Sequence, residues 1–333
     1  MKHANIALFV PHAGCPHQCS FCNQRRITGE AAGPSAEDVR KACDAALISL
    51  GERARGAEIA FFGGSFTAIR PAYRRELLEA AYPYIKAGAF GGIRISTRPD
   101  AVSGEILEEL KQYGVTAIEL GAQSMEDSVL ALNERGHSAE DVVRASAMIR
   151  EAGFSLGLQM MTGLYGSAPE MDRRTAARLI ALGPDTARIY PTLVLSDTPL
   201  ATFYLTGTYR PQPLEEVVEL CAGLLQAFER AGVSVIRMGL HAAADLQQSL
   251  LAGPFHPAFR ELCESRLMLR EAFSRIQPPE QGEKHVALYV HPRALSRMIG
   301  QKRQNLAALA EQHIIAEVKT DPALAGLAIR IEE

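Results

Sequence analysis

The stretch Gly14-Cys-Pro-His-Gln-Cys-Ser-Phe-Cys-Asn23 decides the fold of this chain, because its cysteines follow a C-x3-C-x2-C pattern. One loop can bring the thiolates of Cys15, Cys19 and Cys22 to a single metal centre. A structural zinc site usually takes a fourth protein ligand from a second C-x2-C or an H-x3–5-H pair, and no such pair follows here. Iron–sulfur clusters are normally held by four cysteine thiolates. Three cysteines therefore predict a cluster with one iron open to a ligand other than protein; a zinc knuckle or three unrelated thiols are the alternatives.

Apolar runs alternate with helical patterns from residue 4 to about residue 240. The runs that predict buried strands are Ile6–Val10, Glu58–Phe62, Ile93–Ser96, Thr116–Leu120, Phe154–Met160, Thr186–Tyr190 and Ser234–Arg237. Ser35 with Asp38, and Ser138 with Asp141, resemble capping boxes that start two of the helices. Such alternation predicts an α/β fold with a parallel sheet, as a closed or partial barrel. Barrels bind ligands at the carboxyl ends of their strands, and the cysteine loop follows the first strand at that end.

The second predicted strand ends in Phe61-Phe-Gly-Gly-Ser-Phe-Thr67. Paired glycines at a strand end let backbone approach a ligand closely, although a simple tight turn is the alternative. We expect a β-branched residue at Gly63 or Gly64 to block the ligand and to spare the metal centre. Polar clusters end three later strands, at Ser96–Asp100, Glu119–Ser124 and Arg188–Thr192. They predict a polar barrel mouth, with capping and ion pairing as the alternative for any single residue.

Together these motifs resemble the radical S-adenosylmethionine (SAM) superfamily, which implies a partial parallel (β/α)6-type barrel. In that family three cysteines hold a 4Fe–4S cluster, SAM chelates the fourth iron, and the reduced cluster cleaves SAM to methionine and a 5′-deoxyadenosyl radical. By position, the resemblance makes Cys15, Cys19 and Cys22 the cluster ligands. It also implies that SAM or the cluster is contacted by Phe21, Gly63, Gly64, Ser96 and Gln123.

The order of the motifs is more specific than any one of them. The runs Ser96–Asp100, Glu119–Ser124, Arg135–His137 and Tyr190–Leu193 resemble the radical SAM half of the catalytic subunit of Elongator, over roughly residues 4–270. That enzyme modifies wobble uridines of tRNA with acetyl-coenzyme A as its carbon source. The cysteine spacing here is the compact superfamily form, and we expect the acetyltransferase domain to be absent. The resemblance therefore does not transfer the Elongator reaction as a whole.

The stretch 276–283 is rich in proline, glycine and glutamate and predicts a linker. It would join a radical SAM domain, residues 1–275, to a small domain at 284–333. In the small domain the sequence predicts the order strand, helix, helix, strand, strand. We therefore expect a second, α+β domain at the end of the chain.

The segment Met298–Leu306 resembles the KH signature Ile-Gly-x-x-Gly-x-x-Ile. In KH domains this loop clamps the backbone of about four single-stranded nucleotides. The resemblance implies RNA contacts from Gly300, Lys302 and Arg303, where Arg303 stands in place of the second glycine. An ordinary surface helix–turn–helix is the alternative.

Composition bounds the cellular setting. The 333 residues are 47% hydrophobic and carry a net charge of −3, so no global charge argument favours nucleic acid. No apolar run reaches the roughly 18 residues of a membrane span, and the N-terminus does not resemble a signal peptide. Cys43, Cys221 and Cys263 are isolated, as expected of buried thiols in a reducing compartment. We expect a cytoplasmic protein that does not bind membranes.

The sequence thus predicts a radical SAM enzyme with a 4Fe–4S cluster and SAM that modifies RNA, with tRNA as the expected class. An electron donor such as flavodoxin or ferredoxin is the expected partner. One alternative is a small-molecule enzyme resembling the oxygen-independent coproporphyrinogen oxidases. Another is a non-catalytic RNA-binding protein with a structural cluster. SAM cleavage and RNA co-purification separate these three hypotheses.

Overall fold

The computed structural model describes residues 4–10, 15, 19–23, 33–240 and 244–333. The strands are β1 (Ala4–Val10), β2 (Ala57–Gly63), β3 (Gly92–Thr97), β4 (Val115–Gln123), β5 (Ser155–Thr162), β6 (Thr186–Pro191), β7 (Val194–Leu195), β8 (Ser234–Met238), β9 (Leu250–Ala252), β10 (Lys284–Val290), β11 (Ile314–Thr320) and β12 (Ile329–Glu332). The helices are α1 (Ala36–Leu50), α2 (Pro71–Lys86), α3 (Gly104–Gln112), α4 (Asp127–Leu132), α5 (Ala139–Glu151), α6 (Pro169–Ala181), α7 (Pro199–Leu205), α8 (Leu214–Arg230), α9 (Ala244–Ser249), α10 (Phe259–Arg275), α11 (Leu295–Ile299) and α12 (Gln304–Ala310). Within these ranges no helix is long and apolar enough to cross a membrane.

One seven-stranded sheet carries most of the chain, in the order β1-β2-β3-β4-β5-β6-β8. Every neighbouring pair in this sheet is parallel. All strands predicted from the apolar runs are present, and the expected α/β fold with a partial parallel barrel is confirmed. The short antiparallel pair β7–β9 was not predicted. Because the strands are parallel, the carboxyl ends of β1, β2, β3 and β4 lie at the same edge of the sheet.

Capping boxes start α1 and α5, as predicted. The Ser35 hydroxyl accepts a hydrogen bond from Asp38 N at 3.2 Å, and the Asp38 carboxylate accepts one from Ser35 N at 2.9 Å. Ser138 and Asp141 form the same reciprocal pair. Each cap stabilises its helix by about 1 kcal/mol, and so fixes the residue at which the helix begins.

The two faces of the sheet differ in polarity. Within β4, Ile118 and Leu120 are completely buried and alternate with Glu119 and Gly121. Burying one such aliphatic side chain contributes about 1.5–3 kcal/mol. Glu119 is also buried, at 3% exposure, so the opposite face is a polar interior rather than a solvent surface. We call it the charged face.

The chain divides into two compact units. The first contains residues 1–212 and 228–254, and the second contains 213–227 and 255–333. The stretch 276–283, expected between domains at 1–275 and 284–333, connects two parts of the second unit instead. The physical reason is that α10 packs its buried Met268 and Ala272 into the core of the tail. The sequence pattern of a helix cannot show which of two sheets its apolar side will face.

The second unit is built on a three-stranded sheet in the order β11-β10-β12. From residue 284 onward, the elements follow the predicted order of strand, helix, helix, strand, strand. The side chain of Asn305 is 1% exposed. Its amide nitrogen donates hydrogen bonds to the carbonyls of Ser265 and Met298, each at 3.1 Å. Asn305 therefore ties α12 to both α10 and α11.

Candidate cluster and cofactor site

The cysteine segment, described over residues 19–23, is held in place by Ser20, which lies between Cys19 and Cys22. The Ser20 hydroxyl donates a 2.6 Å hydrogen bond to the Asn133 side chain, and Ser20 N donates to Asn133 O at 3.2 Å. The backbone N–H of Leu200 donates to Ser20 O at 2.8 Å. Asn133 is completely buried and also donates to Tyr165 O at 2.9 Å. The segment is thus anchored by two regions that lie far along the chain.

Arg135 places a buried positive charge against the cysteines. One of its terminal nitrogens donates to Cys19 Sγ at 3.0 Å, and the other donates to Gly121 O at 2.8 Å. The ring of Phe21 lies 6.0 Å from the guanidinium carbon. Burial raises the pKa of the Cys15 thiol above its ordinary value and nearby Cys19 raises it further, while Arg98 and Arg135 lower it. The two guanidiniums therefore favour the thiolate form that a metal requires.

Three buried polar atoms of Arg135 and its neighbours have no hydrogen-bond partner in the described parts of the chain: Arg98 Nη1, Arg135 Nε and His137 Nδ1. Arg98 is held by a two-pronged ion pair with Asp100, at 2.9 and 3.0 Å. His137 Nε2 donates to Ala122 O at 3.2 Å, which leaves its Nδ1 as an acceptor. Burial, and next Arg135, lower the pKa of His137 to about 4. Unpartnered buried polar atoms are costly, and two cations beside thiolates suit an anionic group, so these residues fit a thiolate-bound cluster.

Cys15, Cys19 and Cys22 form no disulfide. Cys19 and Cys22 belong to one apolar cluster, in which Phe21 and Leu200 are also buried. Among the residues that the structure describes, no three His, Cys, Asp or Glu side chains are grouped so as to hold a metal ion. The assignment of the three cysteines as ligands stays a prediction.

Gly63 and Gly64 lie where β2 ends, beside the end of β1. Gly63 has a φ of 98°, and a Cβ atom there would lie 3.0 Å from Val10 O and 3.1 Å from Val10 C. The N–H of Gly64 donates to Val10 O at 2.8 Å. Gly63 is therefore required by the contact between β1 and β2, a role that the sequence pattern does not predict. Whether either glycine contacts SAM stays a prediction.

A cluster of hydroxyl groups connects the turn after Gly63 and Gly64 to the end of β3. Thr97 Oγ1 lies 2.8 Å from Ser65 Oγ and 2.5 Å from Thr67 Oγ1. The backbone N–H of Arg98 donates to Ser65 Oγ at 3.2 Å. This hydroxyl cluster therefore joins the turn after Gly63 and Gly64 to the segment that carries Arg98.

The structure places Ser96 and Gln123 near the ends of β3 and β4. Ser96 is half-buried and pairs in register with Glu119, so it lies on the charged face. Gln123 is buried and has a φ of 65°, a left-handed conformation that is uncommon for a residue other than glycine. Its side-chain oxygen accepts a hydrogen bond from Gln159 at 3.3 Å. Their predicted contact with SAM stays a prediction.

A row of buried charges, which the sequence pattern did not predict, crosses the charged face. Arg94 Nε lies 2.6 Å from the Glu58 carboxylate, and Arg94 Nη1 lies 3.3 Å from Glu119. Arg188 Nε lies 2.6 Å from the other oxygen of Glu119. The Arg188 guanidinium also lies 4.8 Å from the ring centre of Phe62. The available signal was one charged residue inside each of several otherwise apolar strands.

The tail turn, residues 300–303, joins α11 to α12. Lys302 and Arg303 have φ values of 51° and 63°, so both are left-handed. Arg303 thus takes up the conformation that a second glycine would adopt. A Cβ at Gly300 would lie 2.9 Å from Asn305 N. The side chains of Lys302 and Arg303 are exposed, while their predicted contact with RNA stays a prediction.

Comparisons with known proteins extend along most of the chain. The Radical SAM superfamily matches residues 9–179, which is just over half of the chain, and the Radical_SAM C-terminal domain matches residues 184–268. A tRNA uridine(34) acetyltransferase of Dehalococcoides mccartyi is 25% identical over 299 residues, which cover 78% of this chain and 64% of that protein. Elongator complex protein 3 of Homo sapiens is 30% identical over 199 residues, which cover 54% of this chain and 36% of that protein.

A solved structure shows the same fold. The archaeal Methanocaldococcus infernus Elp3 with an N-terminal deletion has a TM-score of 0.63 and 21% identity. The match covers 81% of this chain and 63% of that chain. This chain therefore spans less than two thirds of the length of these relatives.

Proposed function

This chain belongs to the radical SAM superfamily, whose members use a 4Fe–4S cluster and SAM, and we propose that this enzyme modifies RNA, with tRNA as the substrate class. The observation that carries the proposal is the similarity to a tRNA uridine(34) acetyltransferase across 78% of this chain. That similarity extends well beyond the half of the chain matched by the superfamily itself. The group transferred is not part of the proposal, because the chain covers only 64% of that relative.

The residues of the barrel mouth have separate tasks in this proposal. Cys15, Cys19 and Cys22 hold the cluster through their thiolates. When bound, the reduced cluster and SAM supply a 5′-deoxyadenosyl radical. Arg98 and Arg135 offset the negative charge of the thiolates, since both guanidiniums act on the Cys15 thiol. Gly64 leaves room for SAM at the end of β2, and Ser96 and Gln123 orient it with their polar side chains.

The buried surroundings of the cysteine segment also protect a reactive radical from water. Phe21 and Leu200 exclude water from one side of the cysteine segment, since both are less than 10% exposed. Excluding water and competing reactants is the protein's main contribution when a cofactor supplies the reactive species. One electron must enter for each SAM cleaved reductively. A protein electron donor such as flavodoxin or ferredoxin is therefore part of the proposal.

The tail turn supplies the contact with RNA in this proposal. Lys302 and Arg303 are exposed, and no described residue forms an ion pair with either. Charges that are not neutralised by the protein remain available to phosphates, and each phosphate contact releases counterions. The left-handed φ of Arg303 keeps the sharp turn that a KH-like clamp requires.

The experiment combines tRNA analysis with a charge reversal. Mass spectrometry of tRNA from cells that lack the protein should show the loss of one modified nucleoside. In vitro, the Lys302→Glu/Arg303→Glu protein should bind tRNA at least tenfold more weakly, with a shallower salt dependence. The matched control, Arg70→Glu/Lys86→Glu, makes the same charge change at exposed positions of the first unit and should bind tRNA as the parent does. Unchanged tRNA nucleosides, together with no tRNA binding by the parent, would favour a small-molecule substrate.

A further inference from the structure

Arg237 extends the row of charges on the charged face by one strand. It lies at the carboxyl end of β8, the last strand of the parallel sheet. Its Cα is the register partner of Arg188 in β6, after a bulge between Ala187 and Arg188. Register partners on neighbouring parallel strands project from the same face. Arg237 therefore shares the face on which Arg188 pairs with Glu119.

Among the described residues, no carboxylate pairs with Arg237 as Glu58 and Glu119 pair with the other arginines of the row. Arg94 lies between the carboxylates of Glu58 and Glu119, and Arg188 pairs with Glu119. The hydrogen bond of the Arg237 side chain runs from Nε to the backbone carbonyl of Gly239, at 3.1 Å. No described residue accepts from its two terminal nitrogens. A carbonyl orients a guanidinium but does not neutralise it.

An arginine in this position attracts an anion. Arg237 is half-buried, so solvent offsets its charge only in part. The bond to Gly239 uses Nε, so the edge of the guanidinium that carries both terminal nitrogens has no acceptor among the described residues. That edge matches two oxygens of a phosphate, and arginine binds phosphate in this two-pronged way more specifically than lysine does. Ligands of parallel barrels lie at this end of the strands.

We propose that Arg237 binds a backbone phosphate of the RNA substrate and thereby positions the nucleotide to be modified in the barrel mouth. The inference rests on the proposed function, because it takes RNA as the substrate. It adds a second contact with RNA, in the first unit, to the contact expected at the tail turn. Both contacts would add affinity, and the contact at Arg237 would also fix the register of the RNA at the carboxyl ends of the strands.

The first test measures binding of a synthetic tRNA anticodon stem–loop to the reconstituted enzyme at several salt concentrations. Arg237→Gln should weaken binding about tenfold or more, as expected for a lost charge-assisted hydrogen bond. The slope of log affinity against log salt should become shallower by about 0.7–0.9. Arg237→Lys should restore the slope but not the full affinity. The control Arg230→Gln, an exposed arginine in the last turn of α8, should change neither quantity.

The second test identifies the phosphate. Replacing single phosphates of the stem–loop by uncharged methylphosphonates should reveal one position that weakens binding to the parent and has no further effect on Arg237→Gln. SAM affinity, measured by equilibrium dialysis, should be the same in the parent and the variant. A selective loss of SAM affinity would mean that Arg237 binds the SAM carboxylate, and would overturn the inference.

The outcomes separate the inference from the proposed function. If the parent binds the stem–loop and Arg237→Gln binds it equally well with the same slope, the inference fails and the proposed function stands. If the parent does not bind the stem–loop or whole tRNA, the proposed function fails first. If Arg237→Gln loses its iron, Arg237→Lys decides, and parental affinity for the stem–loop in that variant would overturn the two-pronged contact.

Discussion

The cysteine segment and the tail turn are both predicted to hold a ligand, but they are built in opposite ways. In the cysteine segment, residues 19–21 are buried, and Ser20 is anchored by Asn133 and Leu200, which lie far along the chain. In the tail turn, Lys302 and Arg303 are exposed, and the shape of the turn depends on the left-handed backbone of these two residues. A site of the first kind depends on the fold of the whole unit, whereas a site of the second kind depends on local geometry. Substitutions should therefore disturb the two sites differently.

The largest effect is expected at the cysteines. Cys15→Ala, Cys19→Ala and Cys22→Ala should each abolish iron binding and 5′-deoxyadenosine formation, because a lost thiolate leaves the cluster short of a ligand. Iron analysis after anaerobic reconstitution, and chromatography of the SAM cleavage products, measure the two quantities. RNA binding at the tail turn should change little.

The matched controls are the three other cysteines of the chain. Cys43, Cys221 and Cys263 are all completely buried, so their Ala variants test the loss of a buried thiol without the loss of a ligand. They should keep their iron. Full iron content in Cys15→Ala, Cys19→Ala or Cys22→Ala would contradict the ligand assignment.

The next largest effect should distinguish two adjacent glycines. Gly63→Val should lose both iron and SAM, because its Cβ would press on Val10 at the end of β1 and its φ of 98° disfavours any side chain. Gly64→Val should lose SAM binding and keep its iron. This differs from the expectation that either substitution spares the cluster. Iron content and equilibrium dialysis with SAM decide between them, and a Gly63→Val protein with full iron content would show that β1 tolerates the contact.

The smallest effect is expected at Arg303. Arg303→Gly should raise the free energy of unfolding by about 1 kcal/mol, since a left-handed residue with a side chain is disfavoured by about that amount. It should also weaken tRNA binding, by less than the double Glu variant does. The matched control is Arg293→Gly, which removes an exposed arginine that lacks a positive φ and should lower stability by about 0.5–1 kcal/mol. Denaturant unfolding measures both, and equal signs for the two variants would show that the backbone of the tail turn is not strained.

Much of the fold could be predicted from the sequence, because the patterns that indicate strands and helices are local. Apolar runs and capping pairs such as Ser35 with Asp38 need only neighbouring residues to be recognised. The packing of α10 against the tail could not be predicted from neighbouring residues, because the apolar side of a helix does not indicate which other element it packs against. For the same reason the sequence showed Glu58, Arg94 and Arg188 as isolated charges, and only the register of the strands brings them into one row.

The cysteine motif was recognisable from its spacing, but its surroundings were not. Arg135 was noticed as part of a motif, yet only the fold places its guanidinium 3.0 Å from Cys19 Sγ. A glycine pair at a strand end predicts only that backbone approaches a ligand closely, and it is the resemblance to the radical SAM superfamily that assigns Gly63 to SAM. The structure adds a contact with Val10 that is independent of any ligand. Local patterns thus predicted the kind of site, and long-range contacts determine its electrostatics and steric limits.

The anchoring of Ser20 also sets an order of events in the cell. A chain is synthesised from its N-terminus, so the cysteine segment emerges before either of its anchors. Its hydrogen bond with Asn133 must wait until that residue, 113 positions further along the chain, has been synthesised, and the one with Leu200 must wait longer still. Until both anchors have been synthesised, the cysteine segment lacks part of the hydrogen bonding that holds it in place. Iron insertion into a properly held site should therefore follow the synthesis of Leu200, and a nascent chain arrested before that residue should not retain a cluster.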